Sequence, residues 1–73
     1  SEQRMNNHIY KMLELTGSST TSSDDAIAQA IARASASVRH IEWFEVVDMR
    51  GFVKDGAVAY WQVTLKAGFR LED

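Results

Sequence analysis

Apolar and polar positions change period along this chain, and each change marks an element. From His8 to Thr16, Ile9, Leu13 and Leu15 share one parity, interrupted by Lys11. Alternation of this kind marks a half-buried strand, so a strand is predicted there, bounded by Gly17. Ser18 to Ser23 form a hydroxyl-rich loop with one glycine before it and no lysine after it. That is not a phosphate-binding loop pattern. Ser22-x-x-Asp25 resembles a capping box instead, in which the serine oxygen satisfies an orphan amide of the first helical turn. Beyond it, Ile27, Ala30, Ile31, Ala34 and Val38 fall on one stripe of a helix. The helix is predicted from about Ser23 to Arg39, with Asp24 and Asp25 at its positive end and Arg39 and His40 at its negative end. The stripe is rich in alanine, so the helix is expected to lie close across a sheet.

Two long strands follow, Ile41 to Val53 and Ala57 to Phe69. Asp55-Gly56 between them is a strong two-residue hairpin signal, because a type I′ turn needs positive φ at both positions. The order is β-α-β-β: an α+β domain with a three-stranded antiparallel sheet packed on one helix. Without a bulge, paired positions of the hairpin sum to 111, so that Met49 faces Gln62, Val47 faces Thr64, Glu45 faces Lys66 and Trp43 faces Gly68. Opposed residues share a face. One face then carries Trp43, Glu45, Val47, Met49, Gln62, Thr64 and Lys66. The other carries Phe44, Val46, Val63, Leu65, Ala67 and Phe69, is almost purely apolar, and should take the helix. The mixed face holds too much contiguous apolar surface to meet only water, which points to another copy of the chain. Asp48 and Arg50 land on the helix face in this register, where a bulge near Gly51 would re-aim them.

Composition sharpens the picture of assembly. The chain has 73 residues and no cysteine. A domain of this length buries only about 60% of the surface its unfolded chain exposes, no disulfide makes up the difference, and small scaffolds that lack such staples often rely on oligomerisation. A polar tail over residues 1–7 that frays, followed by one domain over residues 8–73, is the expected organisation. Net charge is −2 and the basic residues are scattered, which leaves no electrostatic footprint for nucleic acid. No run approaches the roughly 18 apolar residues of a membrane span, and a cytoplasmic location is the default expectation. His8 and His40 stand alone, without the ligand spacing of a transition-metal site. Taken singly, the remaining candidates have plain readings: Trp43 and Trp61 as packing aromatics, Gln62 as a surface strand residue and Arg50 as a solvated or paired charge.

The combination changes that balance. Trp43-Phe44-Glu45-Val46, Arg50-Gly51, Gln62-Val63-Thr64-Leu65-Lys66 and Gly68-Phe69-Arg70-Leu71-Glu72-Asp73, at these spacings, resemble the dodecins. So do Tyr10-Lys11, Glu14-Leu15 and Gly17 in the first strand, and Asp25-Ala26-Ile27 with Ala32-Arg33-Ala34 in the helix. The resemblance covers residues 8 to 73. It implies a sheet partly wrapped around one helix, and twelve copies forming a hollow homo-oligomer. It also implies flavins, FMN or riboflavin-type, bound in pairs between symmetry-related subunits and sandwiched by two tryptophans. On this resemblance Trp43 is the stacking plate, Gln62 bonds the pyrimidine edge of the ring, Arg50 lies near the flavin and Asp48 is a candidate ribityl contact. Where many members have histidine followed by an aromatic, this chain has Tyr60-Trp61; Phe52 replaces a residue that is often polar. Some bacterial members also bind coenzyme A.

Tryptophan is the most electron-rich side-chain plate for an electron-poor isoalloxazine. Gln62 offers a donor and an acceptor to the alternating pyrimidine edge. On an unbulged ladder Trp43 and Gln62 stand roughly 20 Å apart at about 3.3 Å per residue, so a site shared between subunits is expected. Sequestration and storage of flavin, without catalysis, is the leading expectation, since a sandwiched ring has no open face for a hydride donor. A flavin-dependent oxidoreductase and a coenzyme A-binding shell are the alternatives. FMN, riboflavin and FAD are not separated by these residues.

Overall fold

The computed structural model describes residues 7–72. The expected tail, residues 1–7, lies outside these apart from Asn7. The elements are β1 (Tyr10–Ser19), α1 (Ser23–Ser35), β2 (Ile41–Lys54) and β3 (Ala57–Arg70). All pairing is antiparallel, in the order β1-β3-β2, so the last strand is central and the hairpin's other arm is an edge. The expected α+β architecture is present.

Two element boundaries differ by three residues or more from the pattern-based expectation. β1 runs on to Ser19, because Gly17 pairs with Val63 and Ser18 with Gln62 in the same ladder. Gly17 is where α1 crosses the sheet: a Cβ there would stand 2.4 Å from the carbonyl oxygen of Ala26, so only a residue without a side chain permits this approach. α1 stops at Ser35, four residues before the predicted Arg39. Serines at 35 and 37 and β-branched Val38 weaken the last turn, and His40 takes a left-handed φ of 66° that leads the chain into β2. The predicted cap is present, with Asp25 N–H donating to Ser22 Oγ at 3.0 Å.

The core lies between α1 and the β1–β3 half of the sheet. Ala26 and Ala30 of the helix meet Val63, Leu65 and Ala67 of β3, flanked by half-buried Leu13, Leu15, Ile27 and Ile31. The helix packs on β1 and β3 and leaves most of β2 uncovered. Phe44, Val46 and Met49 point to the helix side of the sheet yet remain about half exposed. Phe44 and the helix residues Ile27, Ala28, Ile31 and Ala32 line an open apolar groove of about 550 Å³.

The hairpin register corrects the unbulged ladder. Trp43 faces Gly68, Glu45 faces Lys66 and Lys54 faces Ala57, as expected. Between these anchors the ladder slips by one: Asp48 faces Thr64, Met49 faces Val63 and Arg50 faces Gln62. Ala59 has no opposite number on β2, and Val47 has none on β3. The two extra residues cancel, so both ends of the hairpin keep the simple register while its middle is inverted. Met49 therefore moves to the helix side, and Asp48 and Arg50, expected there, move to the outer face. The bulge that re-aims them is at Val47 rather than near Gly51. A further irregularity at Glu42 precedes Trp43.

Candidate functional site

The outer face of the sheet carries no helix. It is organised in cross-strand rows, because directly opposed residues share a face. At one end Met12, Gly68 and Trp43 form a row. The six-membered ring of the Trp43 indole lies directly over Gly68: a Cβ at position 68 would be 2.2 Å from ring atoms Cε2 and Cζ2. Gly68 is the floor that lets the indole lie down on the sheet. Trp43 keeps 40% of its surface exposed, so the plate remains available to a partner. Tyr10 flanks it, with ring centroids 6.3 Å apart and planes tilted by 53°. Tyr10 is itself held, its hydroxyl donating to Glu42 at 3.0 Å. That hydrogen bond to a carboxylate is the main cause that pushes the Tyr10 hydroxyl above its ordinary range, with desolvation second. Arg70, opposite Tyr10, stands 3.9 Å from the same carboxylate.

Six positions along β3 from Gly68, the row is Ser18, Gln62 and Arg50. Arg50 donates to Gln62 Oε1 at 2.9 Å, and Gln62 Nε2 donates to Ser18 Oγ at 3.3 Å. The same guanidinium pairs with the carboxylate of Asp48. Thr16 and Thr64 bridge by their hydroxyls at 2.9 Å in the next row. Beyond the row, Phe52 and Tyr60 stack at 4.5 Å, which gives the Tyr60 position a packing role at the hairpin end.

Of the four residues singled out from the sequence, three are therefore brought into one network: Asp48, Arg50 and Gln62. Trp43 stands apart from them, by roughly 20 Å at the usual strand rise. Gly68 and Ser18 were not singled out. Gly68 was legible as the residue opposite Trp43, and a glycine facing an aromatic signals a ring lying on backbone. Ser18 became visible only once β1 extended past Gly17. Among the described residues, no group of three or more His, Cys, Asp or Glu side chains could hold a metal ion, and no helix is long and apolar enough to cross a membrane.

An exposed aromatic plate and a structured polar row on one face of a small sheet form a candidate binding surface. Comparison with known proteins makes this specific. The family model Dodecin matches residues 9–72. A dodecin of Thermus thermophilus is 45% identical over 65 residues, covering 89% of this chain and 94% of the relative. The structure of a dodecin from Streptomyces coelicolor superposes with a TM-score of 0.86 at 49% identity, covering 94% of this chain and 99% of that one. A calcium dodecin from Mycobacterium tuberculosis, described as calcium-chelating, is 29% identical with a TM-score of 0.75 and coverage of 88% and 91%. This chain belongs to the dodecin family.

Proposed function

We propose that this protein binds and sequesters flavin, FMN or riboflavin-type, in a site shared between copies of the chain. The observation that carries this reading is the Trp43 indole laid over Gly68 with its outer surface uncovered. A flat aromatic ligand stacks on such a plate, and offset stacking contributes roughly 0.5–1.5 kcal/mol beyond area burial. Membership of a family known in general for flavin binding adds to it. The donor set also fits: Gln62 and Arg50 present hydrogen-bonding groups suited to a ring edge, on the same face as Trp43.

The separation of Trp43 from Gln62 favours a ligand held between two copies. One chain offers the plate and another the polar row, as a two-fold axis would arrange. When bound, flavin brings an electron-poor ring with accessible redox chemistry, and stacking against Trp43 covers a ring face against other reactants. Sequestration or storage is the outcome this arrangement favours.

The test is titration of FMN, followed by loss of flavin fluorescence, with the wild type and Trp43→Ala. Loss of the plate should weaken binding roughly tenfold, equivalent to about 1.4 kcal/mol. Equal affinity for the two proteins would show that Trp43 is not the plate.

A further inference from the structure

A bulge and a missing side chain bring Trp43, Tyr10 and Glu42 together on the outer face. Gly68 lets the Trp43 indole lie flat. Tyr10 shares its face, two residues before Met12 in the row of Gly68 and Trp43. The ring centroids of Tyr10 and Trp43 are 6.3 Å apart, inside the roughly 4.5–7 Å range of a direct aromatic pair. Glu42 precedes Trp43, and on a regular strand it would point to the opposite face. It is the extra residue between Ile41 and Trp43, and the bulge turns it outward. There its Oε1 accepts the Tyr10 hydroxyl at 3.0 Å, while its Oε2 stands 3.9 Å from the Arg70 guanidinium.

The redox chemistry of these side chains has an order. An indole gives up an electron without first losing a proton. A phenol gives one up readily only when its proton leaves too, because the neutral phenoxyl radical is far more stable than the radical cation. Tyr10 therefore needs a proton acceptor at its oxygen. Glu42 is one: a glutamate is ionised at neutral pH, and an ionised carboxylate only accepts. At rest the proton stays on Tyr10, since the bond to Glu42, then desolvation, push the hydroxyl above its ordinary range.

We propose that Trp43, Tyr10 and Glu42 form a proton-coupled electron relay that refills the aromatic plate after a one-electron oxidation. An oxidant of the class of a photoexcited aromatic ring takes one electron from the Trp43 indole and is itself reduced by one electron. Tyr10 passes an electron to the indole and its hydroxyl proton to Glu42 Oε1. Trp43 is then restored, Tyr10 is a neutral phenoxyl radical and Glu42 is a carboxylic acid. An indole that has meanwhile released its N–H proton to water takes one back as the electron arrives. Return of the electron from the reduced oxidant to Tyr10, with the proton from Glu42, restores the resting chain. The relay spares the indole the irreversible reactions of an oxidised ring. Tyr60 does not serve the plate: it is stacked on Phe52, eight positions along β3 from Gly68, roughly 26 Å at about 3.3 Å per residue.

The test is pulse radiolysis of the flavin-free protein with the azide radical, which oxidises tryptophan in preference to tyrosine. Indolyl and phenoxyl radicals are followed by their separate absorption bands in the wild type, Tyr10→Phe, Glu42→Gln, Trp43→Phe and Tyr60→Phe. In the wild type the indolyl band should decay as the phenoxyl band grows, at a rate independent of protein concentration and slower in deuterium oxide. Tyr10→Phe and Trp43→Phe should each abolish this fast growth, and Tyr60→Phe should retain it. Glu42→Gln keeps the ring pair but has no carboxylate, so growth should slow by on the order of a hundredfold. Fast growth that survives in Tyr10→Phe or Trp43→Phe, or its absence from the wild type, would overturn the relay. A rate unchanged in Glu42→Gln would overturn Glu42 as the proton acceptor. No flavin enters the experiment, so its failure and the failure of the flavin reading are separate results.

Discussion

Gly68 shows how a residue without a side chain can shape a candidate site. Its contribution is the space that the Trp43 ring occupies, so its replacement acts on the ring rather than on the backbone. In Gly68→Ala the new methyl group would sit 2.2 Å from indole atoms, well inside van der Waals contact. The indole is exposed on its other side and can swing away, so the variant should fold with an unchanged far-UV circular dichroism spectrum. Its affinity for FMN should nevertheless fall about as far as in Trp43→Ala, roughly tenfold, because a displaced plate cannot stack. Wild-type affinity in Gly68→Ala would mean that the resting position of the ring is irrelevant to binding.

Much of the fold was legible because period, capping and turn chemistry agreed at the ends of elements. Asp55-Gly56 does close the hairpin with positive φ at both residues, 53° and 77°, and Ser22 caps α1 as its spacing implied. The middle of the hairpin was not legible. Bulges at Ala59 and Val47 cancel, so working from the turn and working from Trp43 give the same wrong register between them. The warning sign was chemical: Asp48 and Arg50 on an apolar helix face are costly unless paired. The helix start holds a second device with a measurable consequence. Ser19 Oγ donates to the Asp25 carboxylate at 2.6 Å, and Gln29 Nε2 donates to the same oxygen. The Ser19 bond, then the Gln29 bond, hold Asp25 below the ordinary carboxylate range. A depressed folded-state value contributes stability that is present above the unfolded pKa, about 3.9, and is lost as pH falls through the folded one. Ser19→Ala should therefore lower the melting temperature near pH 6. The gap from wild type should narrow as the pH falls below the carboxylate range, as thermal melts at a series of pH values would show. It should not close, since Thr21 and Ser22 also donate their amides to Ser19. A gap independent of pH would remove Asp25 from the account.

At the scale of the molecule, the chain is long and thin, 58 × 20 × 15 Å, with a radius of gyration of 15.3 Å. A globule of this length would have about 11 Å. The buried hydrophobic core among the described residues consists of Ala26, Ala30, Val63, Leu65 and Ala67, and only Leu65 and Val63 are large. Meanwhile Phe44, Val46 and Met49 lie half exposed on the helix side of β2, and Phe44 lines the groove with Ile27 and Ile31. Family members form multimers, and this strip is the surface that needs one. Phe44→Asp places a charge in it and should shift the protein to smaller species in size-exclusion chromatography with light scattering. An unchanged mass would remove Phe44 from the contact between copies. The slender shape has a consequence for how stability is to be understood here. When a chain completes its core only against its neighbours, folding and association are one equilibrium, and the free energy of the native state carries a concentration in it. Dilution would then act as a denaturant, and a ligand held between two copies, as proposed above, would act as a cross-link that strengthens their association by mass action.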